Sequence, residues 1–175
     1  MGLAQIPRSN KMTKADRSKW FQLLKWDSED YLQSALSPTF ENNGFTFHRL
    51  SKSRWFVEII TGAGAYQKSY VFAILDESNP LRPKVSELLF TDYYLEKDGK
   101  VKKETTKFLS GTPTFDPKTK TLKVFYKAAG LGHCGSLTSY KISKNITETI
   151  EARVRNCDDA TSVPPPEEWP RIKLF

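Results

Sequence analysis

The sequence is poor in the residues that bind metal ions and act as catalytic nucleophiles. Its 175 residues include two cysteines and two histidines. A structural zinc ion takes four such ligands in a tetrahedral arrangement, so the chain would have to bring all four to one point. We therefore expect no metal site and no cofactor.

Three common catalytic sequence patterns are missing as well. The chain has no G-x-S-x-G elbow, no H-E-x-x-H helix and no phosphate-binding P-loop. Its acidic clusters have simpler explanations: Asp27, Glu29 and Asp30 stand at a predicted helix start, and Glu167 and Glu168 follow a proline run. We predict no catalytic residue and favour a non-enzymatic protein. An enzyme with an unrecognised site is the alternative.

Long hydrophobic runs are also absent. No apolar stretch approaches the roughly 18 residues that a membrane-spanning helix needs. The first dozen residues hold no apolar core of a secretory signal, so a complete signal peptide is not seen. The stretch LAQ at residues 3–5 is typical of what cleavage beside small residues leaves, and whether Met1 and Gly2 are native stays open.

What the sequence does have is an excess of positive charge. Lys and Arg number 27 against 20 Asp and Glu, which gives a net charge of +7 and an isoelectric point near 9.3. Such a surface attracts polyanions: nucleic acid, acidic polysaccharide or anionic lipid headgroups. The alternative is a basic surface that serves solubility alone.

The residue pattern predicts a single α+β domain. Two short N-terminal helices, the first beginning at the Thr13–Asp16 capping box, pack on a large antiparallel sheet or partly closed barrel of about eight strands. A C-terminal strap lays Trp169 against the domain. The expected divisions are a flexible arm at 1–12 and one globular domain at 13–175, made of helices at 13–37, antiparallel strands at 44–157 and the strap at 158–175.

The stretch GLGHCG, residues 130–135, matches the G-x-G-x-x-G pattern of dinucleotide-binding loops. That pattern needs a strand before it and a helix after it, since the pyrophosphate binds at the helix N-terminus. A strand pattern precedes it in KVFYKAA, but SLTSYKIS, which follows, alternates with period two. We therefore interpret the stretch as a tight turn between two strands, in which glycine permits positive φ angles.

The two cysteines are placed to meet across a hairpin. If the chain reverses near Lys144 and Asn145, antiparallel register brings Cys134 nearly opposite Cys157. An even pair in a cysteine-poor chain suits one disulfide in an oxidising compartment, although two buried thiols are the alternative. Closing this loop would stabilise the fold by about 3 kcal/mol.

GLGHCG, a second cysteine two dozen residues later and a C-terminal WP together resemble an uncharacterised family of exported bacterial proteins, known as a domain of unknown function. The resemblance extends over residues 50–172 and includes GAGAYQKSYVFAIL and TFDPKTKTLKVF. It implies an exported protein, periplasmic or extracellular, with a disulfide bond. The family often has an acidic residue before the first cysteine, where this chain has His133. The resemblance implies no activity.

Both histidines have simple interpretations. His133 beside Cys134 suggests a Cys–His nucleophile, but adjacent residues of an extended chain point to opposite faces, and a disulfide would consume the thiol. His48, in FTFHRL, is interpreted as a surface residue of a strand.

One cluster supports a specific functional hypothesis. If the strands at 121–128, 136–144 and 149–156 are neighbours, their outward face carries basic side chains around one aromatic ring, with Glu151 as its acid. The candidate anion-binding residues are Lys123, Phe125, Lys127, Lys141, Arg153 and Arg155. We therefore expect a non-enzymatic, exported binding module whose partner is an anionic polymer or membrane headgroups of the envelope.

A second hypothesis is a barrel that carries a small apolar ligand. Its binding residues would be the aromatic side chains of the central strands: Trp55, Tyr70, Phe72 and Phe90. Binding to an anionic polymer should weaken with salt, whereas binding inside an apolar barrel should not.

Overall fold

The computed structural model describes residues 6–8, 12–26, 44–96, 98–157 and 163–175. The second predicted helix and the carboxylates of Asp27, Glu29 and Asp30 lie outside these ranges, as does most of the predicted arm. The described residues contain one α-helix, ten strands and one short 3-10 helix. No helix among them has the length and the hydrophobicity that a membrane span requires.

The elements follow one another in a simple order. The helix α1 (Lys14–Leu24) precedes all the strands, and the 3-10 helix (Pro166–Glu168) follows them. The strands are β1 (Phe45–Arg49), β2 (Arg54–Ala63), β3 (Lys68–Asp76), β4 (Lys84–Glu87), β5 (Phe90–Leu95), β6 (Val101–Thr106), β7 (Phe108–Asp116), β8 (Thr121–Lys127), β9 (Gly135–Ser143) and β10 (Ile146–Arg155). The chain forms two compact units, a first of Met1–Ala63 and Tyr70–Leu88 and a second of Gly64–Ser69 and Leu89–Phe175.

The first unit packs α1 on antiparallel strands. The helix begins at the predicted capping box, where the Thr13 hydroxyl accepts a bond from the Asp16 amide and the Asp16 carboxylate accepts one from the Thr13 amide. Its Trp20 is fully buried, lies 5.3 Å from the Phe45 ring and donates its indole N–H to the Pro7 carbonyl at 2.9 Å. These contacts fix the helix on one face of β1 and β2.

The second unit consists of an antiparallel sheet and a separate hairpin. The sheet runs in the order β7-β8-β9-β10, and β5 pairs with β6 alone. Within the first unit β1, β2 and β3 are neighbours, and β4 pairs with β3. The described strands of neither unit close into a barrel. The expected antiparallel α+β fold is therefore confirmed, with an open sheet and not a partly closed barrel.

One segment that the sequence predicts as a single strand forms two strands in the structure. The pattern VSELLFTDYYLE predicts one continuous strand, but β4 ends at Glu87 and β5 begins at Phe90. Leu88 between them is fully buried and its amide bonds to the Phe72 carbonyl, whereas Leu89 is exposed. The sequence carries no turn signal at this break, because the apolar residues Leu88, Leu89 and Phe90 span it.

Candidate binding groove

The glycine-cysteine stretch is a turn closed by a disulfide. Cys134 and Cys157 are bonded, with Cα atoms 4.9 Å apart, and β9 rather than a helix follows the glycines. Gly132 and Gly135 have φ angles of +69° and +141°. The structure thus confirms the predicted disulfide and excludes a dinucleotide-binding helix here.

The register of β8, β9 and β10 places the predicted basic residues on one face. Phe125 pairs with Leu137, which pairs with Arg153. Two residues further along these strands, Lys127 and Arg155 both pair with Gly135. Directly paired residues point to the same side of a sheet, so these side chains share a surface.

A groove of about 470 Å³ lies on this face. Phe125 and Leu137 contribute apolar surface, while Thr112 and Thr114 of β7 are exposed and pair with Phe125 and Lys123. The Lys127 amine lies 6.0 Å from the centre of the Phe125 ring. The lining residues are Thr112, Thr114, Lys123, Phe125, Lys127, Leu137, Pro166 and Glu167.

The C-terminal segment at 163–175 builds one wall of the groove. Trp169 is fully buried, donates its indole N–H to the Pro164 carbonyl at 3.0 Å and packs edge-on against Phe125 at 5.7 Å. The segment also bonds to β10, since the Ile172 amide donates to the Ala152 carbonyl at 3.0 Å. This attachment positions Pro166 and Glu167, whose carboxylate is exposed at the rim.

Three of the six predicted anion-binding residues, Arg153, Arg155 and Lys141, do not line the groove. Arg153 donates to the Trp169 carbonyl at 2.8 Å and to the Glu151 carboxylate at 2.7 Å, and Arg171 approaches the same carboxylate at 2.7 Å. Arg155 is buried, with 8% of its surface exposed. Arg153 therefore ties the C-terminal segment to the sheet.

Lys141 lies at the opposite end of the same face. It pairs with Thr121 on one side and Glu148 on the other, and its amine donates to the Thr119 carbonyl. The sequence interpretation missed the Glu148 carboxylate on this face because the β10 register shifts at Ile150. A bulge reverses the alternation of side chains on either side of it.

The aromatic residues of the barrel hypothesis are divided between the two units, with Trp55, Tyr70 and Phe72 in the first and Phe90 in the second. Tyr70 and Phe72 stack at 5.8 Å in the first unit, while Phe90 contacts Tyr140 at 4.9 Å in the second. Phe72 and Phe90 are fully buried. The strand order of each unit is open, and a closed barrel would be needed to enclose a ligand among these residues.

Two polar pairs elsewhere hold titratable groups. His48, expected at the surface, is partly buried, and its Nε2 lies 2.7 Å from the Glu58 carboxylate. In the second unit the Tyr140 hydroxyl donates to Asp92 Oδ1 at 2.9 Å. Burial raises the pKa values of both Asp92 and Tyr140. Each pair lies within one unit, and none of these four residues lines the groove.

His133 lies beside the disulfide. A ring nitrogen of His133 and the sulfurs of Cys134 and Cys157 lie within 4.8 Å of one another. The sulfurs are bonded to each other, so neither is available as a thiolate ligand or a nucleophile.

Comparison with known protein families identifies a match. Residues 3–172 match the family described as "Protein of unknown function (DUF1176)". No curated protein matches the chain, and no solved structure does. The match spans nearly the whole sequence, so this chain belongs to the DUF1176 family of proteins of unknown function.

Proposed function

We propose that this protein is a non-enzymatic binding protein that holds a segment of an anionic polysaccharide of the cell envelope in the sheet groove. One observation carries this proposal: two lysines flank a partly exposed aromatic ring in the same groove. Lys123 and Lys127 stand on either side of Phe125 along β8. A polysaccharide with spaced carboxylates or phosphates offers the complementary pattern of charges and rings.

Each part of the groove has a distinct role in this binding. The two ammonium groups pair with anionic substituents, and the Phe125 ring contacts the apolar face of a sugar ring. The hydroxyls of Thr112 and Thr114 both donate and accept hydrogen bonds, as sugar hydroxyls require. The Glu167 carboxylate at the rim repels anions, so the groove favours a polymer with spaced charges over a densely charged one.

The disulfide and the net charge support an exported protein. Disulfides form and persist in oxidising compartments outside the cytoplasm, where envelope polysaccharides are found. A net charge of +7 draws the chain toward anionic polymers from a distance and speeds their association. The proposal therefore includes export, because an exported protein meets the polysaccharides of the envelope.

The proposal is tested by measuring affinity for polygalacturonate, a carboxylated polysaccharide, with neutral dextran beside it. The double variant Lys123→Gln/Lys127→Gln should bind polygalacturonate about tenfold more weakly. The matched control is Lys118→Gln/Lys120→Gln, which removes the same charge from the exposed β7–β8 turn and should change affinity less than twofold. Wild-type binding should also weaken as salt rises from about 50 mM to about 200 mM.

Three outcomes contradict the proposal. Equal losses in the two double variants would show that binding follows net charge and not the groove. Equal binding of dextran and polygalacturonate would remove the role of the lysines. Tighter binding of single-stranded DNA than of any acidic polysaccharide, with the same loss in the groove variant, would make nucleic acid the ligand class.

A further inference from the structure

Two neighbouring loops of the second unit expose apolar side chains. They are residues 64–67, between β2 and β3, and residues 128–134, between β8 and β9; together we call them the loop tip. Leu131 is 91% exposed and Tyr66 is 70% exposed. Side chains this apolar and this exposed, grouped on adjacent loops, are typical of a surface that contacts another phase or partner.

The loop tip is held in one arrangement. The Lys127 amide donates to Gln67 Oε1 at 3.0 Å, which links the two loops at their base. The Tyr66 ring lies so close to Gly130 that a Cβ atom there would stand 2.8 Å from it. Cys134, at the end of the second loop, is buried and disulfide-bonded. Because these contacts restrict the two loops, binding through them costs less conformational entropy than binding through unrestrained loops.

The charged side chains of the two loops and of the strand ends beside them are basic. Residues 64–69 and 126–135 contain two lysines, Lys68 and Lys127, and no Asp or Glu. The alkyl stem of Lys127 runs alongside Gly132, as an added Cβ there would lie 3.4 Å from its Cδ. Apolar side chains with lysines behind them match the layers of an anionic bilayer, since lysine stems lie in the apolar zone and the amines reach the phosphates.

We propose that the loop tip docks the protein on the surface of an anionic lipid bilayer. Leu131 enters the outermost acyl region, and Tyr66 lies at the headgroup level, where amphipathic rings concentrate. The Lys127 amine, whose alkyl stem lies beside Gly132, pairs with a lipid phosphate. The loop tip shares Lys127 with the groove, but Tyr66 and Leu131 do not line the groove, and docking on a bilayer does not depend on the ligand of the groove.

The test is co-sedimentation with vesicles of phosphatidylcholine containing about 30% phosphatidylglycerol, beside vesicles of phosphatidylcholine alone. The variant Tyr66→Ser/Leu131→Ser should lose about tenfold in its partition coefficient on the anionic vesicles. The matched control, Leu81→Ser/Ile146→Ser, removes two apolar side chains that are 72% and 70% exposed elsewhere, and should bind as the wild type does. All these side chains are exposed, so the variants should fold normally.

Two further measurements separate the loop tip from the groove. Lys123→Gln should weaken polygalacturonate binding and leave vesicle binding unchanged. The fluorescence of Leu131→Trp should shift to the blue with anionic vesicles, because the new indole enters an apolar layer. The proposal is overturned if wild type does not sediment with anionic vesicles at low salt, if both vesicle types bind equally, or if the two double-serine variants lose the same affinity.

Discussion

Gly135 is the residue of the GLGHCG turn at which the backbone leaves no space for a side chain. A Cβ atom there would stand 2.0 Å from the Tyr126 carbonyl oxygen and 3.0 Å from the Ala128 nitrogen. Gly132 has a positive φ without such crowding, and Gly130 abuts the Tyr66 ring. Gly135 and Gly132 are thus required for different reasons, whereas the exposed Tyr66 ring can shift to admit a Cβ at Gly130.

Gly135→Ala should lower the free energy of unfolding by about 2–4 kcal/mol, because it adds a backbone clash to an unfavourable φ. The matched control is Gly99→Ala, where φ is +79° and no atom lies within 4 Å of the added Cβ. That variant should lose about 1 kcal/mol. Urea unfolding measures both, and equal losses would show that φ alone matters at Gly135.

Asp92 makes stability depend on pH in an identifiable direction. Its carboxylate is buried, which raises its pKa above the ordinary value, and the directly opposite Glu104 adds to this effect. Hydrogen bonds from the Tyr140 hydroxyl and the Tyr93 amide oppose it. A raised folded-state pKa gives stability that is complete below the unfolded pKa of about 3.9 and is lost as pH rises through the folded pKa.

The free energy of unfolding of wild type, relative to Asp92→Asn, should therefore fall as pH rises from about 3 to about 7. Asparagine keeps an oxygen for the Tyr140 hydroxyl and does not titrate. Urea unfolding at several pH values gives this difference directly. A constant difference, or one that rises with pH, would contradict the raised pKa of Asp92.

At the scale of elements, the disulfide joins the start of β9 to the end of β10. It closes a loop between residues 23 positions apart in the sequence. Cys134→Ser/Cys157→Ser should lower the free energy of unfolding by about 3 kcal/mol, because the unfolded chain gains the freedom that the crosslink removes. Reducing the wild type should give a similar loss in urea unfolding. A loss below about 1 kcal/mol would assign the stability of this hairpin to its packing.

The β9–β10 hairpin shows what a sequence pattern can and cannot specify. The turn at Lys144 and Asn145 and the meeting of the cysteines were predictable, because hairpin register follows from the position of the turn. The bulge at Ile150 was not predictable. Without it, strand alternation places the Glu148 side chain on the wrong face of the sheet. A single extra residue leaves no local signal when apolar and charged residues continue to alternate.

The sequence predicted that the C-terminal segment packs against the domain, but it did not predict that this segment forms a wall of the groove. A proline run followed by Trp169 indicated a strap, but only the fold shows that it walls the groove and binds Arg153. Contacts between distant parts of the chain depend on register and twist, which local patterns do not encode. This is why Arg153 was predicted as a ligand-binding residue and is found holding the segment to the sheet.

Trp169→Leu should accordingly affect both stability and binding. It removes a buried indole and its packing on Phe125, so the free energy of unfolding should fall by about 2–4 kcal/mol. Polygalacturonate affinity should fall as well, because the Phe125 ring, which contacts the sugar, loses the Trp169 packing that holds it in place. Arg171→Gln, which removes an exposed ion-pair partner of Glu151, should cost less than about 1 kcal/mol and serves as the control. Unchanged affinity in a folded Trp169→Leu protein would show that the wall takes no part in binding.

At the scale of the whole molecule, both proposed sites belong to the second unit. The groove is formed by β7, β8, β9 and the 3-10 helix, and the loop tip by residues 64–67 and 128–134. Net charge predicted a polyanion as partner, and strand alternation already placed Lys123 and Lys127 beside Phe125. The register of the sheet added Thr112 and Thr114 of β7 to the same groove. The first unit contributes no residue to either site among the residues described.

The most direct test of the groove is an amide chemical-shift map by ¹H–¹⁵N NMR, recorded while an oligogalacturonate is added to the labelled protein. We expect the largest shifts at Thr112, Thr114, Lys123, Phe125 and Leu137, with the first unit unchanged. The same titration with a neutral dextran oligosaccharide should leave the chemical shifts of these amides unchanged. Shifts concentrated in the first unit, or spread evenly over exposed lysines, would contradict polysaccharide binding in the groove.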